Sequence, residues 1–231
     1  MNLKTKYMTR NDCYKAGRKI TPKGIMIHST AAPGVMAAAW FSRWNKSYQA
    51  GEINRQVCVH AFVDDEEAWQ YLPWDHRGWH AGGTANNTHI GIEICEPGGF
   101  SYSGGSNMVG YDVSRKEAYF RKAWKNAVEL SVFLCKEYGL TEKDIIGHAE
   151  GHRQGIASNH ADPLHWFPKH GENMATFRAA VKKALASNQK PSPSKKYYRV
   201  QIGAYSIKAN AEAQLARAKK AGFPDAFIKY D

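Results

Sequence analysis

The sequence predicts an α/β fold, a central mixed β-sheet flanked by helices, with a small β-α-β segment at its C-terminal end. Three observations carry that expectation. Short apolar strand patterns, GIMIHST (24–30), HIGIEICE (89–96) and DIIGH (144–148), are interleaved with helical patterns rather than grouped. One stretch, 114–139, keeps a helical apolar period over its whole length. Finally, SNQKPSPSKK (187–196) is polar, carries two prolines and lacks any apolar period, which reads as a linker. The expected organisation is a main domain over 1–186, the linker over 187–196 and a short segment over 197–231.

The elements follow in order. GIMIHST is a short buried strand that ends in small polar residues. PGVMAAAWFSRWNKSYQ (33–49) places Ala37, Phe41, Trp44 and Tyr48 on one helix face. VCVHAFVD (57–64) and EAWQYLP (67–73) are two strands joined by the acidic turn Asp64–Asp65–Glu66. HIGIEICE alternates as a strand. In 114–139, Ser114 and Glu117 form a capping box and Gly139 supplies the stop. DIIGH is a strand that runs straight into a run of histidines. ENMATFRAAVKKALA (172–186) closes the domain as a helix with Met174, Phe177, Val181 and Leu185 inward.

Bulk properties narrow the classes. The 231 residues suit one domain of ordinary size plus an appendage, and 43% apolar with 23% charged residues excludes a disordered chain. The formal charge of +11 points to a polyanionic partner: nucleic acid, anionic lipid or the anionic polymers of a bacterial wall. Cys13, Cys58, Cys95 and Cys135 are widely spaced, with no C-x-x-C pair, and read as free buried thiols. No run approaches 18 apolar residues, so membrane insertion is not expected. The first fifteen residues hold no apolar signal region, so synthesis in the cytoplasm is expected, with another factor providing any exit.

Five of the ten histidines fall within residues 147–171, GHAEGHRQGIASNHADPLHWFPKHG. Strand alternation adds to this cluster. Ile25 and Ile27 share one face of their strand, leaving Met26 and His28 on the other; Ile90, Ile92 and Ile94 likewise leave Gly91, Glu93 and Cys95 opposite. DIIGH puts His148 at a strand end. Three strands therefore offer His28, Glu93 and His148 to one face. A catalytic zinc takes three protein ligands and leaves a position open for water. His28, one or two cluster histidines and Asp162 can fill that set, and Glu93 is the candidate general base.

IMIHST, WHAG (79–82), THIGIEI (88–94) and the G-H and H-A-D-P pieces of 147–163, in that order, resemble the type-2 N-acetylmuramoyl-L-alanine amidases, which share their fold with the peptidoglycan-recognition proteins. The resemblance covers about residues 20–185. The stretches LKTKYMTRNDCYKAGRKITPKGIMIHST and ASNHADPLHWFPKHG look most like endolysins of phages of Gram-positive bacteria, clostridial ones in particular. The resemblance implies His28, His148 and Asp162 as zinc ligands and Glu93 as the acid that handles the catalytic water. It implies cleavage of the amide between N-acetylmuramic acid and L-alanine, with peptidoglycan as partner. It also implies release to the wall through a holin.

The chain departs from the family pattern in two places. His160 stands where the family has a lysine that polarises the scissile carbonyl; an imidazole N–H can do the same work, so His160 takes that role. The second departure concerns spacing. His152, ten residues before Asp162 and set in G-H-R, matches the family spacing, whereas His148 lies fourteen before it but directly follows the apolar strand. We take His148 as the ligand because a loop absorbs four extra residues at little cost, with His152 as the alternative. His60 reads as a wall of the site or support behind it, and Trp79 with His80 as lining of the substrate groove. Thr30, Asn86 and Asn87 are substrate-contact candidates by position. His165 and His170 read as braces of the last turn and helix, His76 and His89 as structural.

The segment 197–231 reads as strand, helix, strand: Val200, Ile202 and Ala204 alternate, Ala211, Leu215 and Ala218 form a helix stripe, and AFIKY follows. It resembles half of a SPOR peptidoglycan-binding repeat. Residues 187–231 hold nine Lys/Arg against three Asp/Glu, contributing +6 of the +11, which suits adhesion to an anionic wall. So short a segment rarely holds a core alone, so pairing with a second copy's tail is one expected outcome. Three rivals are weighed. A non-catalytic recognition module predicts the loss of a ligand or of the acid. A nucleic-acid binder predicts clustered Lys/Arg in the main domain, which is not seen. A glycosidase needs paired carboxylates, and Glu93 has no free partner. A bacterial autolysin of the same activity is the alternative to a phage origin.

Overall fold

A computed structural model describes residues 1–187, 202–224 and 226–228. The chain divides into two compact units, Met1–Lys190 and Pro191–Asp231. That division falls inside the stretch read as a linker, of which 188–196 lie outside the described residues. In chain order the first unit contains β1 (Leu3–Thr5), α1 (Asp12–Ala16), β2 (Gly24–Ser29), α2 (Trp40–Trp44), β3 (Ala61–Val63), β4 (Ala68–Gln70) and β5 (His89–Ile94). It continues with β6 (Ser101–Ser103), β7 (Asn107–Val109), α3 (Val113–Tyr138), β8 (Ile145–Gly147), α4 (His148–Arg153) and α5 (Met174–Ser187). The second unit contains α6 (Lys208–Lys220).

Six strands form one sheet in the order β1-β4-β3-β5-β2-β8. The β3–β4 pair is antiparallel, as a short acidic turn allows, and every other neighbouring pair is parallel. Asp64 builds that turn: its Oδ1 accepts from the backbone N–H groups of Glu66 and Glu67. Parallel strands need crossovers, and α3 lies in the one that carries the chain from β5 past β2 to β8. The isoleucines of β2 and β5 pack with Phe120, Ala123, Ala127, Leu130 and Leu134 of α3 and with Met174, Phe177 and Val181 of α5. The reverse face carries a second cluster in which Phe62 and Tyr71 meet Trp40 and Trp44. The sheet is thus covered on both faces, as parallel strands require.

Local chemistry shifts several boundaries. Between Pro33 and Gln49 the helix is confined to a 3₁₀ turn, Ala37–Ala39, running into α2. Its buried face is Ala37, Trp40 and Trp44, while Tyr48 is exposed. At α3 the N-cap is Asp112, whose side chain accepts from the Arg115 N–H, so the capping box expected from Ser114 and Glu117 does not form. Ser114 instead donates to Asp112, and Glu117 turns to His170 and Arg121. Gly139 does end the helix, at φ 66°, a left-handed conformation that glycine adopts without a Cβ penalty. The strand β1, the short α1 and the hairpin β6–β7 have too few residues to show a period. All four cysteines are buried and free.

The second unit keeps the expected helix as α6 but not the expected strands among its described residues. Residues 202–205 and 226–228 lie in no strand, whereas Val200 and 229–230 lie outside the described residues. A strand is held by a ladder to a neighbour, and the described part of this unit offers one helix only. Ile202, Ile207, Phe223 and Phe227 are each more than half exposed. No helix among the described residues is long and apolar enough to cross a membrane.

Candidate active site

The parallel strands β2, β5 and β8 end on one edge of the sheet, where open α/β sheets bind their ligands. His28 lies one residue before the end of β2, Glu93 one before the end of β5, and His148 is the first residue beyond β8. In the β2–β5 register His28 stands directly beside Glu93, and Ile27 beside Ile92. Strand alternation thus sends the isoleucines to the α3 core and both ionisable groups to the opposite face.

Asp162 reaches this edge from the loop after α4. Gly147 makes the approach possible: a Cβ there would lie 2.9 Å from Pro163 Cδ and 3.2 Å from Met174 Cγ. The Asp162 carbonyl then accepts from the Ala149 N–H at 3.0 Å, tying the loop to the first turn of α4. That turn is held in place by Glu150, which accepts from the Gly147 N–H and from both terminal nitrogens of Arg178 on α5.

His28 Nδ1, His148 Nδ1 and an Asp162 carboxylate oxygen all lie within 4.8 Å of one another. His28 Nδ1 is 3.0 Å from Asp162 Oδ2 and 3.0 Å from His148 Nδ1, with His148 Nδ1 3.6 Å from the same carboxylate oxygen. Both imidazoles are buried, His28 at 2% and His148 at 1% exposure. Two imidazole nitrogens and one carboxylate, converging from three segments, are a donor set that fits zinc with a position left for solvent. His152 is left out: four residues further on, it is exposed, and its Nδ1–H donates to the Ala157 carbonyl.

Burial sets the electrostatics. The His28 pKa is lowered, chiefly by burial, against the opposing pull of Asp162. Glu93 is pushed well above the ordinary carboxylate range, first by burial and then by the negative charges of Asp162 and Glu96. Its Oε2, like the Thr30 Oγ1, is enclosed and has no hydrogen-bond partner among the described residues. An enclosed carboxyl oxygen free to bond a reactant is what a general base needs. His160 flanks the cluster with a mostly exposed ring, its centroid 4.6 Å from that of His148 and its Nδ1 4.0 Å from Asp162 Oδ1.

Other expected contacts fall differently. His60 is fully buried; its Nδ1 accepts from the Gly91 N–H and its Nε2–H donates to the His76 carbonyl, so it supports the sheet from within. Burial lowers its pKa to about 4. His80 engages both ring nitrogens inside the protein, with His28 Nε2 and with the His89 carbonyl. Asn86 is buried and its Oδ1 accepts from the N–H groups of His80 and Ala81, which makes it the seat of that turn. Asn87 is exposed and accepts from Arg77 Nε. Trp79 packs against Cys13, Cys58 and Leu72 and pairs its backbone with that of Cys58.

Two groups were not singled out in the sequence. Ser158 lies 3.2 Å from His148 Nε2 and 3.2 Å from the Ala81 carbonyl. Glu96, fully buried, accepts from the Tyr102 hydroxyl at 2.6 Å and lies 3.1 Å from His165 Nε2, which fastens the β6–β7 hairpin to the loop carrying Asp162. His165 and His170 are braces as expected: His170 bonds Glu117 and Tyr111 and stacks on Phe120 with ring centroids 4.0 Å apart. Ser158 sits in a loop without periodicity, so alternation could not mark it. Glu96 closes the stretch read as a strand over 89–96, but the strand itself ends at Ile94, so alternation does not place its side chain.

Comparison with known proteins agrees with the geometry. Residues 17–165 match the N-acetylmuramoyl-L-alanine amidase family, and residues 172–230 match the SPOR domain. The latter match begins before the expected tail and includes α5, whose Phe177 and Val181 lie in the core of the first unit. The chain is 32% identical over 138 residues to the N-acetylmuramoyl-L-alanine amidase XlyA of Bacillus subtilis (strain 168), covering 58% of this chain and 39% of that one. It is 32% identical over 166 residues to the amidase CwlA of a Bacillus species, covering 68% and 56%. The chain thus spans about half the length of the curated relatives it matches. The solved catalytic domain of XlyA superposes with a TM-score of 0.57 at 26% identity, covering 78% of this chain and 99% of that domain. With the match running through β2, β5 and β8 and through His28, Glu93, His148 and Asp162, the chain belongs to the N-acetylmuramoyl-L-alanine amidase family.

Proposed function

We propose that the protein hydrolyses the amide bond between N-acetylmuramic acid and the L-alanine of the peptidoglycan stem peptide, as a zinc enzyme. One observation carries this reading: a buried His-His-Asp donor set lies at the strand ends, with Glu93 registered beside His28. Family membership supplies the bond to be cleaved.

Zinc held by His28, His148 and Asp162 would supply Lewis acidity toward water and the scissile carbonyl. Glu93, mounted on β5 with an unpartnered Oε2, takes the proton of the attacking water and returns it to the departing amine of L-alanine. His160, exposed at the cluster's edge, donates an N–H toward the oxygen that gains charge during attack. Thr30, its hydroxyl enclosed and unpartnered beside His28, is the remaining substrate-contact candidate, with Trp79 and Asn87 further out.

The second unit serves as the wall-adhering part, supported by its SPOR match and by the excess of basic residues after 187. Its exposed Ile202, Ile207, Phe223 and Phe227 support pairing with a second copy. A phage endolysin, made in the host cytoplasm and released through a holin, is the setting we favour, because the quoted N-terminal and histidine-rich stretches resemble such enzymes.

The test is digestion of purified Gram-positive peptidoglycan, with new amino ends and new reducing sugars both assayed. N-terminal alanine without reducing ends, abolished by a chelator and restored by zinc, is the expected result. Reducing ends would mean a glycosidase, and binding without cleavage would mean a recognition module.

A further inference from the structure

Two chains of hydrogen bonds lead from backbone carbonyls into the donor cluster, and their polarity is fixed at the carbonyl end. The His89 carbonyl can only accept, and it lies 3.1 Å from His80 Nε2, so His80 carries its proton there. With Nε2–H given to the His89 carbonyl, a neutral imidazole has its other nitrogen free to accept. His80 Nδ1 therefore accepts, and its partner, 3.0 Å away, is His28 Nε2. His28 then donates from Nε2, and in its neutral form its Nδ1 faces His148 Nδ1 and the Asp162 carboxylate, each 3.0 Å away, with no proton of its own to offer either.

The second chain has the same direction. The Ala81 carbonyl accepts from the Ser158 hydroxyl at 3.2 Å, and the Ser158 oxygen accepts from His148 Nε2–H at 3.2 Å. His148 Nδ1 is thereby also left without a proton. The two chains end in bare nitrogens 3.0 Å apart. Lone pairs facing at that distance repel, and a cation between them removes the repulsion. The seat of His80 is built to match: its N–H is held by Asn86 Oδ1, and a Cβ on Gly91 would lie 2.7 Å from its Cγ. Only glycine at 91 leaves room for the ring between β5 and His28.

We propose that His80 is a positioning residue that sets the tautomer in which His28 presents Nδ1 to the metal, with Ser158 doing the same for His148. The proposal rests on the zinc-site reading above and adds two residues to it, neither of which touches metal or substrate. Outer partners that orient an imidazole ligand change metal affinity by about 10- to 100-fold when removed.

The experiment uses the full chain and two readouts besides activity. Zinc affinity is measured by competition with a chromogenic chelator, and the tautomer of His28 in the metal-free protein by long-range ¹H–¹⁵N correlation. In the wild-type protein His28 is expected as the Nε2–H form. His80→Phe, which removes the acceptor, is expected to weaken zinc binding about 10- to 100-fold and to admit the Nδ1–H form. His80→Asn, whose Oδ1 can accept in place of Nδ1, is expected to recover most of that loss. A wild-type His28 in the Nδ1–H form overturns the proposal whatever the variants do, including a variant that fails to fold. Zinc binding by folded His80→Phe within twofold of wild type also overturns it. His28→Ala separates the two readings: if it leaves zinc affinity unchanged, the zinc site itself is wrong, whereas loss there with no effect at His80 leaves the site standing and the relay refuted.

Discussion

His28 and Glu93 sit side by side in the parallel β2–β5 ladder, so the first donor and the candidate base are mounted on one rigid pair of strands. Their separation is set by backbone hydrogen bonds and not by a loop. Glu93→Gln keeps the shape and removes the base. Release of N-terminal alanine from a muropeptide is expected to fall by about 10²- to 10⁴-fold, with zinc affinity nearly unchanged because Glu93 is not in the donor cluster. A parallel loss of zinc would place Glu93 among the ligands.

His148 and His152 differ in mount. His148 opens α4 at the end of β8, whereas His152 lies four residues on and its side chain turns to the Ala157 carbonyl. His148→Ala is expected to weaken zinc binding by more than the roughly 100-fold that bounds an outer-partner effect. His152→Ala is expected to leave zinc affinity and hydrolysis close to wild type. The reverse pattern in chelator competition would move the ligand to His152.

Much of this site was legible because alternation is a local rule. Ile25, Ile27, Ile90, Ile92 and Ile94 marked one face of two strands, and that alone placed His28 and Glu93 together on the other. The strand context of His148 likewise outweighed its unusual spacing to Asp162, since Gly147 and the loop bring the two together. What alternation could not show was the direction of hydrogen bonds. His80 read as a groove residue and His60 as a wall of the site or support behind it; both turn their nitrogens inward, because Gly91 opens a space beside one and donates its N–H to the other. In the tail, 202–205 and 226–228 lie in no strand and 197–201 and 229–230 lie outside the described residues; alternation in 200–204 says which face a strand would bury, but names no neighbour to pair with.

Gly147 gives a prediction that joins packing to chemistry. An added Cβ would meet Pro163 Cδ at 2.9 Å, and a proline ring cannot swing aside as the nearby Met174 side chain can. Gly147→Ala is expected to cost about 1–3 kcal/mol of stability, as overpacking does. Because Pro163 follows Asp162, it is also expected to weaken zinc binding. Denaturant unfolding and zinc titration of the same variant check both; lost stability with unchanged zinc affinity would show that Asp162 tolerates the shift.

His60 makes acid stability a quantitative test of the buried support. Its pKa is lowered to about 4 from 6.5 by burial, and the side chain is fully enclosed. Below pH 6.5 the unfolded chain therefore takes up a proton that the folded one refuses. The stability linked to this residue is complete above pH 6.5 and is lost as pH falls toward 4, amounting to about 3 kcal/mol at 1.36 kcal/mol per unit. His60→Gln keeps a donor for the His76 carbonyl and has no proton to gain. It is expected to be less stable at pH 7.5, because Gly91 N–H loses its acceptor, but to lose less stability on acidification. Urea unfolding of both proteins from pH 7.5 to 4, with chelator present so that metal release does not contribute, measures the difference. Equal losses in the two proteins would mean that His60 titrates near its ordinary value and that the face behind the donor cluster is open to water.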